Sequence, residues 1–204
     1  MDMPSAAILS GGRARRFSGR DKGGLIVDGR SIVERQLDSL APVADDIMIV
    51  GREPELGTAG ARFRVVADRL AEQGPLGGLD AALAEAVHPV VILLACDMPY
   101  VTAPLLGWLA ALVSGTPQVD AAVPHTSQGD HPLCAAYTRA CQAAVAKRLR
   151  EGPRAMKDLL RDLRVRRIDE IELRQFGIPQ QLLANVNTPE DYASVQGPSA
   201  GHTR

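Results

Sequence analysis

Two stretches of this sequence combine residue types that bind phosphate and metal ions. The first is a Ser-Gly-Gly turn at Ser10, followed by a loop whose cations are Arg13, Arg15, Arg16, Arg20 and Lys22. Backbone N–H groups of a glycine turn can cradle phosphate oxygens, and nearby Arg and Lys side chains add positive charge. The second is Asp97, which follows the apolar run 90–95 and Cys96. A carboxylate there suits Mg²⁺, which binds one or two carboxylates together with substrate phosphates.

The glycine loop differs from the two common phosphate-binding motifs. Neither G-x-x-x-x-G-K-[ST] nor G-x-G-x-x-G occurs in the sequence. Spacing alone therefore leaves a surface loop of solvated arginines as an equal alternative. The two carboxylates that follow strands also have ordinary alternatives: Asp97 as a helix N-cap before Pro99, and Asp68 as the polar end of a strand.

The residues that could do chemistry follow apolar runs that predict buried strands. These runs are 6–9, 47–50, 63–67 and 90–95. Between them lie helical patterns, including a capping box at Ser31 and Glu34 and a glycine-rich helix start at 74–78. Alternating strands and helices predict an α/β fold whose mostly parallel sheet has helices on both faces. Ligands bind beyond the carboxyl ends of such strands, and if these strands are neighbours the glycine loop and the two carboxylates converge at one edge.

The second half of the chain is less regular. Residues 121–123 and 133–137 predict a small antiparallel hairpin, and residues 139–150 and 154–163 predict two helices. The segment 147–167 holds nine basic residues against three acidic ones. We interpret it as a solvated face, with attraction of an anionic acceptor or a partner protein as the alternative. No repeat or break in composition occurs, which predicts one domain over residues 1–196 and a disordered tail over residues 197–204.

Composition argues against several classes of function. The 23 Lys and Arg residues balance 24 Asp and Glu residues, unlike a protein that coats nucleic acid or anionic membrane. Aromatic residues make up 3%, too few for base stacking. Three scattered cysteines form neither a disulfide framework nor a zinc motif, and we expect Cys96 and Cys134 to be core residues. Without a membrane-spanning run or signal-peptide pattern, we expect a soluble cytoplasmic protein with no nucleic-acid or membrane partner.

Five blocks of the sequence resemble the motifs of nucleotidyltransferases, and among these the molybdenum cofactor guanylyltransferases. In order, they are LSGGRARRFSGRDK at 9–22, GPLGG at 74–78, CDMP at 96–99, HPLC at 131–134 and NVNTP at 185–189. That family transfers GMP from GTP to the terminal phosphate of molybdopterin and releases pyrophosphate. The resemblance implies a single Rossmann-like nucleotidyltransferase domain. Its N-terminal half would bind nucleotide and its C-terminal half would bind the acceptor.

The resemblance also implies a role for individual residues. Those matching the nucleotide site are Leu9, Ser10, Gly11, Gly12, Arg16, Lys22, Asp68, Gly78 and Asp97. Arg16, Lys22 and Asp97 match the catalytic positions, with Asp97 as the Mg²⁺ ligand. The positions matching the acceptor side are His131, Asn185 and Asn187. An ordinary loop histidine and a simple turn are the alternatives for these. One departure concerns Gly51, because some members have a nucleotide-contacting asparagine after the second strand.

Three other functions fit the same residues. They are a CTP-dependent molybdopterin cytidylyltransferase, a guanylyltransferase with another phosphorylated acceptor, and a non-catalytic protein that binds nucleotide. Resemblance in the Ser-Gly-Gly and Gly-Arg-Asp-Lys patterns favours guanine, and the presence of Lys22, Asp68 and Asp97 favours catalysis. The expected partners are GTP and molybdopterin, together with other molybdenum cofactor assembly proteins or target molybdoenzymes.

Overall fold

The computed structural model of the chain describes residues 3–10, 22–51, 63–68, 73–152, 155–186, 188 and 190–192, Lys22 by its backbone only. The strands in these residues are β1 (Ser5–Ser10), β2 (Ile26–Val27), β3 (Arg30–Ser31), β4 (Asp46–Gly51), β5 (Arg64–Val66), β6 (Val90–Ala95), β7 (Ala121–Thr126), β8 (Gly129–Asp130), β9 (Cys134–Thr138) and β10 (Val165–Ile168). The α-helices are α1 (Ile32–Leu40), α2 (Pro75–Glu85), α3 (Ala103–Ser114), α4 (Gln142–Glu151), α5 (Met156–Leu159), α6 (Glu170–Leu173) and α7 (Pro179–Leu182). Three 3₁₀ turns cover Lys22–Gly24, Arg139–Cys141 and Arg174–Phe176.

The central sheet follows the order β10-β7-β9-β6-β1-β4-β5, and β8 pairs with β7. Along this order β9 alone is antiparallel to its two neighbours, β6 and β7, while the remaining pairs are parallel. This confirms the predicted α/β class with a small antiparallel portion in the C-terminal half. The predicted hairpin is the pair β7–β9, and β9 joins the two halves of the chain into one sheet.

Apolar layers cover both faces of the sheet. On one face Ile8 and Ile92 pack in the same cluster as residues of α1 and α3. On the other face Ala7 and Val91 pack with residues of α2 and α4. Because β1 and β6 are covered on both sides, their sequences are continuous apolar runs. Within the described residues, none of the helices has the length and apolar character needed to cross a bilayer.

Helix α1 begins where its capping pattern predicts. The Ser31 hydroxyl accepts a hydrogen bond from the Glu34 N–H, and the Glu34 carboxylate accepts one from the Ser31 N–H at 2.9 Å. Two N–H groups that the helix itself leaves unbonded are thereby satisfied. The capping box therefore fixes the start of α1.

The predicted helix over 154–163 is wrong in length, because α5 ends at Leu159. Leu159 and Leu160 still lie in the apolar core. The apolar spacing over 154–163 therefore indicates which side chains are buried, although the helix itself is shorter. The chain turns at this point to enter β10, which pairs with β7. The Asp120 carboxylate secures that entry by accepting hydrogen bonds from the N–H and the guanidinium of Arg164. Such a partner from another part of the chain cannot be seen in the local pattern.

In the part of the chain that the structure describes, five of the nine basic residues of segment 147–167 pair with neighbouring carboxylates. Its ion pairs are Arg148–Asp162, Arg161–Asp158, Arg164–Asp120, Arg166–Glu172 and Arg167–Asp130. Three of these five acids lie outside the segment, so its local charge balance overstates the charge of the folded surface. The pairing favours the interpretation as an ordinary solvated face over that of an anion-attracting patch.

A hydrogen-bond network at the amino edge of the sheet centres on Asp46, whose side chain is 11% exposed. Its carboxylate accepts from the Ser5 hydroxyl at 2.6 Å, the Arg64 guanidinium at 2.9 Å and the Val87 N–H at 3.1 Å. Burial raises the pKa of Asp46, but these hydrogen bonds outweigh it, and the pKa lies below the ordinary value for aspartate. The ionised form therefore stabilises the fold.

We expect Asp46→Asn to lower the free energy of unfolding at pH 7 by about 1–3 kcal/mol, because an amide cannot replace all these acceptors. Since the folded pKa is depressed, the carboxylate stabilises the fold above the unfolded value of about 3.9 and loses this effect as pH falls below it. Urea denaturation of both proteins at neutral and acidic pH should show the difference shrinking below about pH 4.

The matched control is Asp45→Asn. Asp45 is 55% exposed and pairs with the His88 imidazole. An exposed pair contributes about 1 kcal/mol or less, so this control should have the smaller effect. Equal effects of the two substitutions, or an Asp46→Asn effect that does not change with pH, would contradict the assignment.

Candidate functional site

The carboxyl ends of four parallel strands lie side by side. Leu9 of β1 is level with Val50 of β4 and with Ala95 of β6. Val50 is in turn level with Val66, the last residue of β5. The residues that follow these positions therefore meet at one edge of the sheet, which is where open α/β folds bind their ligands.

Four residues follow one another across this edge in the order Asp97, Ser10, Gly51 and Asp68. Neighbouring strands are about 4.8 Å apart, so β6 and β5 are separated by roughly 14 Å. Such a span fits the two ends of an extended ligand better than a single metal ion bridged by both carboxylates. Gly51 has a φ of 109°, which disfavours any side chain there, including the asparagine of some relatives.

The glycine loop begins at Ser10, whose side chain is 1% exposed. Its hydroxyl has no hydrogen-bond partner among the described residues. Gly11, Gly12 and Arg16 lie outside the described residues, as does the side chain of Lys22. Their predicted contacts with nucleotide therefore stay predictions.

Gly78 lies in α2, directly against the end of β1. A Cβ at this position would stand 2.9 Å from Leu9 Cδ2. Glycine thus lets the first turns of α2 approach the strand that carries the glycine loop. The N-cap of α2 is Gly74, which has no side chain to accept from the first N–H groups of the helix, and these lie near the carboxyl edge. The structure gives Gly78 a packing role, and its contact with nucleotide stays a prediction.

We call residues 96–102, which connect β6 to α3, the Asp97 turn. Gln36 is fully buried, and its Nε2 donates to the carbonyl oxygens of Ala95 at 2.7 Å and Met98 at 3.1 Å. The N-cap of α3 is Thr102, so the alternative that Asp97 caps a helix is wrong. The two hydrogen bonds from Gln36 thus hold the backbone on both sides of Asp97 at the end of β6.

Two further side chains of α1 hold the same turn. Arg35 Nε donates to the Pro99 carbonyl oxygen at 3.0 Å, and Ser39 Oγ donates to the Val101 carbonyl oxygen at 2.9 Å. The sequence analysis missed these contacts. The available signal was Gln36 itself, a polar residue at a position where the helical period predicts an apolar one.

The segment that carries the late asparagines returns to the Asp97 turn. The Val186 N–H donates to the carbonyl oxygen of Asp97 at 2.8 Å. Val186 is buried in a small cluster with Leu25, Val27 and Ile32. Asn185 is exposed and directly precedes this anchor. The structure therefore brings Asn185 near Asp97, while Asn187 lies outside the described residues.

Just beyond the asparagines, Thr188 and Asp191 bond each other, while the alternative of a simple turn at 185–189 stays a prediction. The Thr188 N–H donates to the Asp191 carboxylate at 2.9 Å, and the Asp191 N–H donates to the Thr188 hydroxyl at 3.1 Å. The Tyr192 hydroxyl then donates to the Ile26 carbonyl oxygen at 2.8 Å. Tyr192 thus ties residues 188–192 to β2, and the exposed Asn185 side chain takes no part in these bonds.

His131 lies on the opposite side of the Asp97 turn, in the loop before β9. This loop is anchored there because the Leu133 carbonyl oxygen accepts from the Ala95 N–H at 2.8 Å. His131 Nε2 lies 2.9 Å from the Thr126 hydroxyl. Burial, together with His125, lowers the pKa of His131 against an opposing effect of Asp130. The imidazole is therefore neutral at pH 7 and can exchange hydrogen bonds without adding charge.

Among the described residues, no group of three or more His, Cys, Asp or Glu side chains is arranged to hold a metal ion. Cys96 and Cys134 are buried core residues, as expected. Burial raises the pKa of the Cys134 thiol to about 12, so it carries no thiolate at neutral pH. In the part of the chain that the structure describes, a metal would need substrate atoms to complete its coordination.

A cavity of about 520 Å³ opens beside the Asp97 turn, between α1 and α7. Tyr100, Phe176 and Ile178 contribute its apolar wall. The arginines that line it, Arg30 and Arg35, pair with Asp38 and Asp28. The cavity thus has little net charge with which to attract an anion.

Comparison with known proteins agrees with this geometry. Residues 6–168 match the profile of the MobA-like NTP transferase domain. The chain is 33% identical over 196 residues to a molybdenum cofactor guanylyltransferase from Desulfosudis oleivorans, an alignment that covers 96% of each protein. Its fold is similar to that of molybdopterin-guanine dinucleotide biosynthesis protein A from Archaeoglobus fulgidus, with a TM-score of 0.78, 24% identity and coverage of 94% and 96% of the two chains.

A Mycobacterium tuberculosis protein solved as a complex with manganese has the same fold, with a TM-score of 0.63 and 18% identity. The alignment covers 96% of this chain and 98% of the mycobacterial one. The profile match spans most of the chain, and the relative from Desulfosudis is similar along nearly its full length. The chain belongs to the MobA-like NTP transferase family and is a nucleotidyltransferase.

Proposed function

We propose that the chain transfers GMP from GTP to the terminal phosphate of molybdopterin, forming molybdopterin guanine dinucleotide and pyrophosphate. The observation that carries the proposal is the position of Asp97. It follows the strand next to the one that leads into the glycine loop, and the late asparagine segment is bonded to its backbone. The relative from Desulfosudis, similar over 96% of each chain, is named for this activity.

The proposed reaction needs no nucleophile from the protein. The terminal phosphate of molybdopterin has a second pKa of about 6 and is mostly dianionic at pH 7. One of its oxygens attacks the α-phosphorus of GTP, the bond from that phosphorus to the bridging oxygen of the β-phosphate breaks, and pyrophosphate leaves with the electron pair. The protein has to bring two anions together in line and to neutralise the charge that develops. Arg16 and Lys22 are proposed to supply part of that charge.

A divalent cation, Mg²⁺, is the proposed cofactor, and the donor set fits it. Mg²⁺ is bound through one or two carboxylates and substrate phosphates rather than by a cage of protein ligands. One carboxylate at the end of β6, without a surrounding cluster of ligands in the described residues, matches this pattern. When bound, the cation would offset negative charge on the triphosphate and the leaving pyrophosphate. Asp97 is the residue proposed to hold it.

The two substrates are proposed to lie on opposite sides of Asp97. On the β1, β4 and β5 side, the Ser10 loop and Asp68 would bind the nucleotide, with Asp68 at the far end from the reacting phosphates. On the β9 side, His131 would bind the acceptor, and the late asparagines would reach it from the segment that is bonded to the Asp97 carbonyl oxygen. The neutral His131 imidazole suits the mixed donors and acceptors of a pterin, because it adds no charge that would need a counterion.

Asp97→Asn should lower the rate of dinucleotide formation by about a hundredfold or more, because a carboxamide is a poor Mg²⁺ ligand. The fold should be retained, since the backbone carbonyl that accepts from Val186 is unchanged. Pyrophosphate release at limiting Mg²⁺ measures the rate, and thermal melting checks the fold. Asp162→Asn, which removes a carboxylate paired with Arg148, is the control and should keep full activity. Unchanged turnover of Asp97→Asn would remove Asp97 from the metal site.

GTP should bind at least about tenfold more tightly than CTP, a difference of roughly 1.4 kcal/mol. A site that hydrogen-bonds one base leaves its polar groups unpaired with another, and this costs affinity. Calorimetric titration with GTP, CTP, ATP and UTP in the presence of Mg²⁺ makes the comparison. A preference for CTP would instead indicate a cytidylyltransferase. Tight GTP binding without pyrophosphate release on adding molybdopterin would indicate another acceptor or a non-catalytic protein.

Asn185→Ala and Asn187→Ala should weaken molybdopterin binding and slow dinucleotide formation while leaving GTP affinity unchanged. The exposed Asn185 amide next to the Asp97 turn can donate to and accept from the pterin edge, and Asn187 is proposed to do the same. Thr188→Ala is the control for a purely structural turn, because it removes the hydrogen bond to the Asp191 N–H without touching either amide. Titrations with each substrate and thermal melting separate the outcomes. A loss of GTP affinity alone would reverse the assignment, and an effect equal to that of Thr188→Ala would favour the turn.

A further inference from the structure

We propose that Gln36 is a positioning residue that holds Asp97 at the metal site. This inference rests on the proposed role of Asp97 as the metal ligand. Gln36 lies on α1, fully buried beneath the Asp97 turn. Gln36 belongs to none of the five motif blocks. It lies in the apolar face of the helix, where a leucine or a methionine is the expected residue. A polar side chain kept in that position needs a physical reason.

The reason lies in the backbone of the Asp97 turn. The sheet ladder ends at the carboxyl end of β6, and the carbonyl oxygens of Ala95 and Met98 accept hydrogen bonds from a side chain instead. The Gln36 amide supplies two hydrogen bonds, one to Ala95 before the carboxylate and one to Met98 after it. A single rigid group thereby fixes both ends of the peptide that carries Asp97. No other side chain of the described residues is shown bonded to carbonyls on both sides of Asp97.

Helix α1, which carries Gln36, is itself fixed at its start and along its buried face. The capping box at Ser31 and Glu34 fixes the start of α1, and apolar neighbours such as Val33 and Leu37 anchor the helix in the core. Displacement of the turn by an ångström would move the carboxylate out of reach of a cation that demands near-ideal geometry. Because α1 is fixed in the core, the hydrogen bonds from Gln36 also fix the position of Asp97.

The expected consequence is specific to the metal. In Gln36→Met the side chain keeps its length but donates no hydrogen bond, so the two bonds that flank Asp97 are lost. Mg²⁺ should tighten GTP binding to the wild-type protein, because the cation would link Asp97 to the triphosphate. In Gln36→Met this Mg²⁺-induced tightening should fall by about fivefold or more. The affinity for GTP measured in EDTA should stay the same.

Calorimetric titrations of GTP in EDTA and in saturating Mg²⁺ measure this tightening directly. Ser39→Ala is the matched control, because it removes a hydrogen bond from the same helix to Val101, farther from the carboxylate. Its tightening by Mg²⁺ should equal that of the wild type. Adding Gln36→Met to Asp97→Asn should produce no further loss, since the proposed effect acts through the carboxylate.

If Gln36→Met fails to fold, the same titrations are made with Gln36→Glu. A buried carboxyl group is held protonated and keeps one of the two donors, so the tightening should be intermediate. Tightening equal to that of the wild type in whichever variant folds would overturn the inference. An equal loss of GTP affinity in EDTA and in Mg²⁺ would also overturn it, in favour of a general structural role. No effect of Mg²⁺ on the wild-type protein would overturn the proposed metal site, and this inference with it.

Discussion

The parallel pairing of β1 between β4 and β6 is the constraint on which the candidate site depends. β1 is buried along its whole length, and its neighbours are aligned so that all three strands end at nearly the same level. Because successive parallel strands point the same way, their following residues are collected at one edge. A shift of the register would separate Ser10 from Asp97, whatever the local sequence of each loop.

At that edge the regular hydrogen bonding of the sheet stops, and the chain has to satisfy its backbone in other ways. Side chains of α1 and the N–H of Val186 do so for the Asp97 turn. The N-terminal helix and the C-terminal segment thus both contribute to the position of one carboxylate. Two of the five motif blocks, 96–99 and 185–189, are thereby bonded to each other although they are far apart in the sequence.

The two edges of the sheet are used differently. At the amino edge, the Asp46 carboxylate is saturated by hydrogen bonds from Ser5, Arg64 and Val87. Its charge serves the stability of the fold. At the carboxyl edge, the hydroxyl of Ser10 is buried with no partner among the described residues, and the side chain of Asn185 is exposed. Polar groups left available there are suited to a ligand.

The sequence by itself determined the α/β class, the main strands and the start of α1, because buried parallel strands and capping boxes have strong local patterns. It also identified the family, since five short motifs occur in a fixed order. Their roles at the site remain proposals. The tertiary structure decided which strands are neighbours, that α5 stops at Leu159, and that Thr102 rather than Asp97 caps α3. It also decided that Gln36 supports the Asp97 turn. These features depend on partners distant in sequence, and a local pattern carries no information about which distant group will satisfy a buried carbonyl.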